Sequence, residues 1–197
     1  MRTPLISAVF AAAVSITSMF GAGSAIAEPW KLDKSHTSVT FSVEHLGFSL
    51  TQGMFREFDA NIDFDPDNIE SASVEFSIVA ESVDTNWPAR DNHVRSKDFL
   101  DAANHKNLTF KSTKVRLTGS DTAEVTGDFT MRGETHEEVF TAKLKRIGPS
   151  PFNPSQTVAG FVIEGELDRT KYGVAYGAPA IGGVVPFRID MEISPAN

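Results

Sequence analysis

The chain has 197 residues, 41% of them hydrophobic, 22% charged and 10% aromatic, and it contains no Cys. This suits one globular domain and excludes a disulfide scaffold, thiolate metal sites and a cysteine nucleophile. With 18 Lys+Arg against 26 Asp+Glu and a formal charge of −8, a phosphate-neutralising nucleic-acid surface is disfavoured too.

Residues 1–27 read as an address. Arg2 gives a positive start, Leu5 to Phe20 is an apolar run broken by small polar residues, and Ala25-Ile26-Ala27 offers a small-x-small cleavage site. The run is too short and too rich in Ser and Thr for a good spanning helix. The expectation is a cleaved secretory leader and a single domain over 28–197 without a transmembrane segment, placed in the periplasm of a Gram-negative source.

Period-two alternation then recurs eight times. Apolar residues alternate with polar ones at Val39, Phe41, Val43; at Phe58, Ala60, Ile62, Phe64; and at Val74, Phe76, Ile78, Ala80. A further strand runs from Leu108 to Leu117, its dry parity switching from Leu108 and Phe110 to Val115 and Leu117, which predicts a bulge around Ser112 to Lys114. The pattern returns at Val125, Gly127, Phe129, Met131; at Phe140, Ala142, Leu144; at Phe161, Ile163, Gly165, Leu167; and at Val185, Phe187, Ile189, Met191, Ile193. Each is a strand with one dry and one wet face.

Pro66-Asp67-Asn68, Gly119-Ser120-Asp121 and Gly133 mark turns. The long connection Asp84 to Asn107 holds Pro88 and a short helical passage, with Ser96 expected to cap its start before Asp98-Phe99-Leu100. Gly148 to Gln156 and Thr170 to Gly183 read as loops.

Eight antiparallel strands with one apolar face need closure or a second sheet to bury it. Their other face carries Asp, Glu, Lys and Thr, so the wet face points outward, the reverse of an outer-membrane barrel. The reading is an all-β, eight-stranded antiparallel barrel, whose interior holds either packed side chains or one elongated ligand. Small residues on the dry face (Ala60, Ala80, Gly127, Ala142 and Gly165) suit interdigitation and an open channel equally. There is no GxSxG elbow, GxGxxG turn, P-loop or HExxH. No catalytic residue is assigned, and a non-enzyme is expected. The lack of an HxH or HxxxH pair argues against a metal site.

Five motifs in order resemble the YceI-like proteins, a lipid-binding, lipocalin-like family: Asp33-Lys34-Ser35-His36-Thr37 through His45-Leu46-Gly47 and on to Gly53-Met54-Phe55; Thr85 with Arg90-Asp91-Asn92-His93-Val94-Arg95-Ser96-Lys97-Asp98-Phe99; Thr109-Phe110-Lys111-Ser112; Gly127 to Thr135; and Arg169-Thr170-Lys171-Tyr172-Gly173. Val94 stands where the family usually has Leu, and Lys106-Asn107 where a Pro often precedes the fourth-strand motif. The resemblance spans nearly all of 28–197. It implies an elongated lipocalin-like barrel holding an isoprenoid-type lipid, such as a long-chain quinone, with no other cofactor. It also implies export to the periplasm and a homodimer.

On that reading the dry face supplies the pore lining: Val39, Phe41, Val43, Phe58, Ile62, Phe76, Ile78, Phe110, Phe129, Phe161, Ile163, Phe187 and Ile189. Selection among lipids falls to polar or covering groups at the mouth: His36, His45, Trp87, Arg90, Asp91, His93, Ser96 and Phe99. Each also has a structural reading. The histidines can cap strand ends or bond loops, Arg90 and Asp91 can pair or fix the loop, and Trp87 and Phe99 can pack the loop rather than form a lid. Three roles stay open: a lipid carrier, store or scavenger; an envelope stress or interaction protein with a filled barrel; and a lipid-modifying enzyme.

Overall fold

The computed structural model describes residues 28–196; the leader assigned to 1–27 lies outside the described residues. Ten strands follow in order: β1 (Glu28–His45), β2 (Ser49–Phe55), β3 (Phe58–Phe64), β4 (Ser73–Val79), β5 (Val83–Asp84), β6 (Asn107–Leu117), β7 (Thr122–Met131), β8 (Glu134–Pro149), β9 (Thr157–Asp168) and β10 (Val184–Pro195). Between β5 and β6 lies one helix, α1 (Pro88–Arg95). Eight strands close a ring, β1-β3-β4-β6-β7-β8-β9-β10 and back to β1, every pair antiparallel. These are the eight that alternate in the sequence. β2 and β5 are additional, β2 pairing with the C-terminal half of β1 and β5 with the end of β2.

The bulge in β6 falls between Ser112 and Lys114, where the parity of the sequence changes. Thr113 is the extra residue, and it lets Leu108, Phe110, Val115 and Leu117 all reach the interior. Arg132 (φ 52) and Gly133 (φ 82) form a two-residue turn between β7 and β8, with the two positive φ values that match the twist of a hairpin. β8 runs further than expected, through Pro149, which pairs with Thr157; proline is tolerated at a strand's end.

The helix sits elsewhere than expected. Pro88 occupies its first turn, where a fixed φ favours helix entry. Ser96 stands at its C-terminal end, its N–H and its hydroxyl both donating to the carbonyl of His93. Ser96 therefore ends α1 rather than starting a helix at Asp98.

β1 carries its own bulge between Asp33 and Ser38. There Asp33 accepts from the Ser35 N–H and hydroxyl, and its other oxygen lies 2.8 Å from His36 Nδ1. The Ser35 hydroxyl and then His36 hold the Asp33 carboxyl down at about 2. Asp33, then Glu192, raise His36 above its ordinary 6.5. The His36 contribution to stability is therefore complete below pH 6.5 and fades as pH rises through the raised value. The Asp33 contribution is present above 3.8 and fades as pH falls toward 2. In an NMR titration His36 is expected to turn over above 6.5, and Asp33→Asn to return it toward 6.5; an unmoved midpoint in that variant would contradict the pairing.

Candidate functional site: an apolar bore closed by an aromatic cluster

The inward face of the ring is a near-continuous apolar surface, yet it does not fill the barrel. A cavity of about 470 Å³ remains, within the range of small-molecule pockets. It is elongated. Its wall includes Thr122 and Met131, the two ends of the ten-residue β7, which at ~3.3 Å per residue span about 30 Å of strand.

Glycine and phenylalanine decide where the bore is filled. The Phe41 ring lies over Gly53 directly across from it. A Cβ on Gly165 would stand 2.7 Å from Phe140 Cδ1, and one on Gly127 would run into the Lys111 carbonyl oxygen and stand 2.6 Å from Phe110 Cζ. At these positions the small residue interdigitates with a ring. Ala142, by contrast, faces the open cavity, so both readings of the small residues hold, at different heights. Because backbone cannot retreat as a side-chain tip can, Gly127→Ala is expected to cost about 1–3 kcal/mol in chemical denaturation; a loss under about 0.5 kcal/mol would show that the sheet adjusts freely there.

Twelve of the thirteen expected lining residues border the cavity: Val39, Phe41, Val43, Ile62, Phe76, Ile78, Phe110, Phe129, Phe161, Ile163, Phe187 and Ile189. Phe58 does not; it is buried and stacked on Phe76 with centroids 6.0 Å apart, packing that ring from behind.

One end of the bore, toward the β6–β7 turn, is bordered by Leu117, Ser120 and Asp121. Near it Trp30 meets Phe64 edge-on at 5.3 Å, and Phe64 meets Phe161 at 5.4 Å. The other end is covered by α1, the turn after it and the 173–183 loop. Here His93, Phe99 and Tyr176 form a triangle of rings with centroids 4.9–5.2 Å apart, and all three border the cavity. His93 Nε2 is 3.1 Å from Asp98, which fixes the ring's orientation.

The expected mouth residues divide. His45, Arg90, His93 and Phe99 border the cavity. Arg90 and Asp91 do not pair with each other. Both serve buried Thr85, whose N–H and hydroxyl donate to Asp91, while Arg90 donates from Nε to the Thr85 hydroxyl and from Nη2 to its carbonyl. Asp91 is thus a loop anchor away from the cavity. Trp87 is 62% exposed and lies outside the cavity wall, as does Ser96 at the end of α1. His36 belongs to the β1 bulge and the outer surface. The donor atoms of Asp33, His36 and Glu192 lie within 4.8 Å of one another, but Asp33 is already engaged by Ser35 and His36, so the cluster is accounted for as a hydrogen-bonded turn.

The sequence profile of the YceI-like domain matches residues 30–193. The chain belongs to the YceI family. It is 40% identical over 158 residues to Protein YceI of Escherichia coli O17:K52:H18, covering 79% of this chain and 81% of that one. Among solved structures, BcnA of Burkholderia cenocepacia superposes with a TM-score of 0.74 at 20% identity, over 82% of this chain and 99% of the other. A polyisoprenoid binding domain from Saccharophagus degradans implicated in plant cell wall breakdown superposes with a TM-score of 0.62 at 12% identity, over 84% and 98%. At those identities the superpositions establish a shared barrel.

Within this YceI barrel, residue-by-residue reasoning missed Arg169, Tyr172 and Tyr176. The Arg169 guanidinium is buried at 5% exposure and borders the cavity. Its donors go to four backbone carbonyls: Nε to Gly182 at 2.8 Å, Nη1 to Val174, and Nη2 to Ile181 at 2.7 Å and Tyr176 at 3.1 Å. Its Cζ lies 5.7 Å from the centre of the Phe99 ring. Burial lowers its pKa, and Asp168 partly opposes this. Arg169 therefore pins the whole 174–182 loop beneath the aromatic cluster. Tyr172 is fully buried, donates its hydroxyl to Glu138 at 2.8 Å and meets Phe129 edge-on; burial first, then Glu138, raises its pKa. The available signal was the Arg169-Thr170-Lys171-Tyr172-Gly173 motif, which marked the segment without saying which way its side chains turn.

Proposed function

We propose that this YceI domain binds one elongated apolar lipid of the isoprenoid type along the barrel axis, for carriage, storage or scavenging in an exported compartment, and that it acts as a binding protein rather than a catalyst. The observation that carries the reading is the bore itself. It is apolar along nearly its whole wall, it follows the full length of β7, and polar side chains collect at its ends. The similarity to a polyisoprenoid binding domain supports the ligand class, and the apolar run with its Ala25-Ile26-Ala27 site supports export.

The energetics suit retention of a water-insoluble chain. Each CH₂ moved from water into such a wall is worth ~0.8 kcal/mol. About twenty buried carbons then offset the ~4–15 kcal/mol cost of association and chain ordering. Apolar burial separates homologous lipids by only ~1–3 kcal/mol per methylene-sized difference. Selection therefore rests with the ends, where His93, Arg90, His45 and Tyr176 face the cavity and can meet a polar head group. Titrating lipid-stripped protein with a long-chain polyprenol in a calorimeter tests this: saturation at one lipid per chain is expected, and absence of binding by well-folded protein would overturn it.

A further inference from the structure

Charge is distributed unevenly along this acidic chain. His45–Phe55 and Tyr172–Phe187 contain no Asp, Glu, Lys or Arg, although 22% of all residues are charged. The fold lays these two stretches side by side: Leu46 N–H donates to Ala180 at 2.9 Å, Gly182 N–H donates to Glu44 at 2.8 Å, and His45 bridges to Ile181. Both stretches border the end of the bore covered by the aromatic cluster. There Leu46 (φ 57) and Gly47 (φ 74) turn the β1–β2 hairpin so that Phe48 projects at 88% exposure beside Leu50 at 57%. Trp87 at 62% and Tyr176 at 48% stand on the α1 segment and the 173–183 loop of the same end.

We infer that this rim, built around the two uncharged stretches, is a bilayer-docking surface through which the lipid enters and leaves the bore. The inference rests on the lipid-binding reading above. The match is one of charge and shape. Two adjoining uncharged stretches on a protein of formal charge −8 are suited to acyl chains, while the charges that border them, Glu44 and those of the α1 segment (Arg90, Arg95, Lys97 and Asp98), are of both signs and suit a zwitterionic head-group layer rather than an anionic one. Its apolar groups stand on a projecting hairpin tip and on separate loops, as wedges into an interface do, with Tyr and Trp suited to the head-group level. A lipid crossing from bilayer to bore at this rim never meets bulk water.

The chain's two tryptophans make the test direct, since Trp30 is buried and Trp87 exposed on the rim. With vesicles of brominated phosphatidylcholine, Trp emission of the protein purified from its native envelope is expected to be quenched, and Trp87→Phe to abolish that quenching. Phe48→Ser/Leu50→Ser should lower partition onto phosphatidylcholine vesicles about tenfold or more, with unchanged circular dichroism. Phe152→Ser, fully exposed on the loop after β8, should leave partition unchanged. Four results would overturn the inference: no partition of native protein; partition that requires anionic lipid and vanishes with salt; loss on Phe152→Ser instead; or a dimer that dissolves on Phe48→Ser while vesicles go unbound, which would assign the rim to a second copy. Uptake of a pyrene-labelled fatty acid supplied from solution is measured alongside. Native protein that fails to take it up would count against the bore reading, whereas normal uptake without vesicle binding would count against docking alone.

Discussion

Arg169→Met is expected to lower folding stability by about 2–4 kcal/mol, read from the shift of a chemical-denaturation midpoint. The guanidinium bonds the carbonyls of Val174, Tyr176, Ile181 and Gly182. Methionine keeps most of the apolar volume against Phe99 but leaves those four acceptors without their donor. Relief from burying a charge returns part of the loss, which is why the expected cost is less than four charge-assisted bonds would suggest. Arg169→Lys should recover only a fraction, because three donors on a point-like ammonium cannot span a fan of four carbonyls. The loop these bonds hold carries Tyr176, so both variants should also release bound lipid faster than the native protein. A loss under about 1 kcal/mol would mean that the loop is held by its own turns and not by Arg169.

Ala142→Trp is expected to separate binding from stability. Ala142 borders the open cavity, paired across the sheet with Ala123 on one side and Ile163 on the other. An indole there enters empty space, so stability should change by less than about 1.5 kcal/mol, and cavity filling can even raise it. Lipid occupancy should collapse. An indole blocking the bore displaces several buried carbons at ~0.8 kcal/mol each, and every ~1.4 kcal/mol is a tenfold loss of affinity. The contrast with Gly127→Ala is the point: a single methyl destabilises where ring and backbone already fill the space, and a whole indole does not where the bore is open. Full lipid loading of a well-folded Ala142→Trp protein would show that the ligand does not use this part of the interior.

Most of the barrel was legible because its signal is local. Alternation at Phe161, Ile163, Gly165 and Leu167 needs only the two-residue period of a strand, and the parity change after Phe110 locates a bulge without any knowledge of the partner strand. The strands missed, Ser49–Phe55 and Val83–Asp84, lack that signal. The first carries Gly53 where its alternation would need bulk, the Phe41 ring supplying it from across the ladder, and the second is two residues long. Ser96 shows a different limit: a hydroxyl can serve either end of a helix, and only the position of Pro88 decides which. The mouth was legible as a set of segments but not as a set of contacts. Arg90 and Asp91 are adjacent and of opposite charge, yet both turn to Thr85. Arg169 sits far along the chain from the carbonyls' aromatic cover, Phe99, and no spacing rule connects them.

If the bore is occupied in the cell, organic-solvent extraction of the protein purified from its native envelope will release the bound lipid for mass spectrometry. One polyprenyl species per chain is expected, and it should be lost from Ala142→Trp protein isolated the same way. A lipid-free extract from folded native protein would rule out an occupied bore.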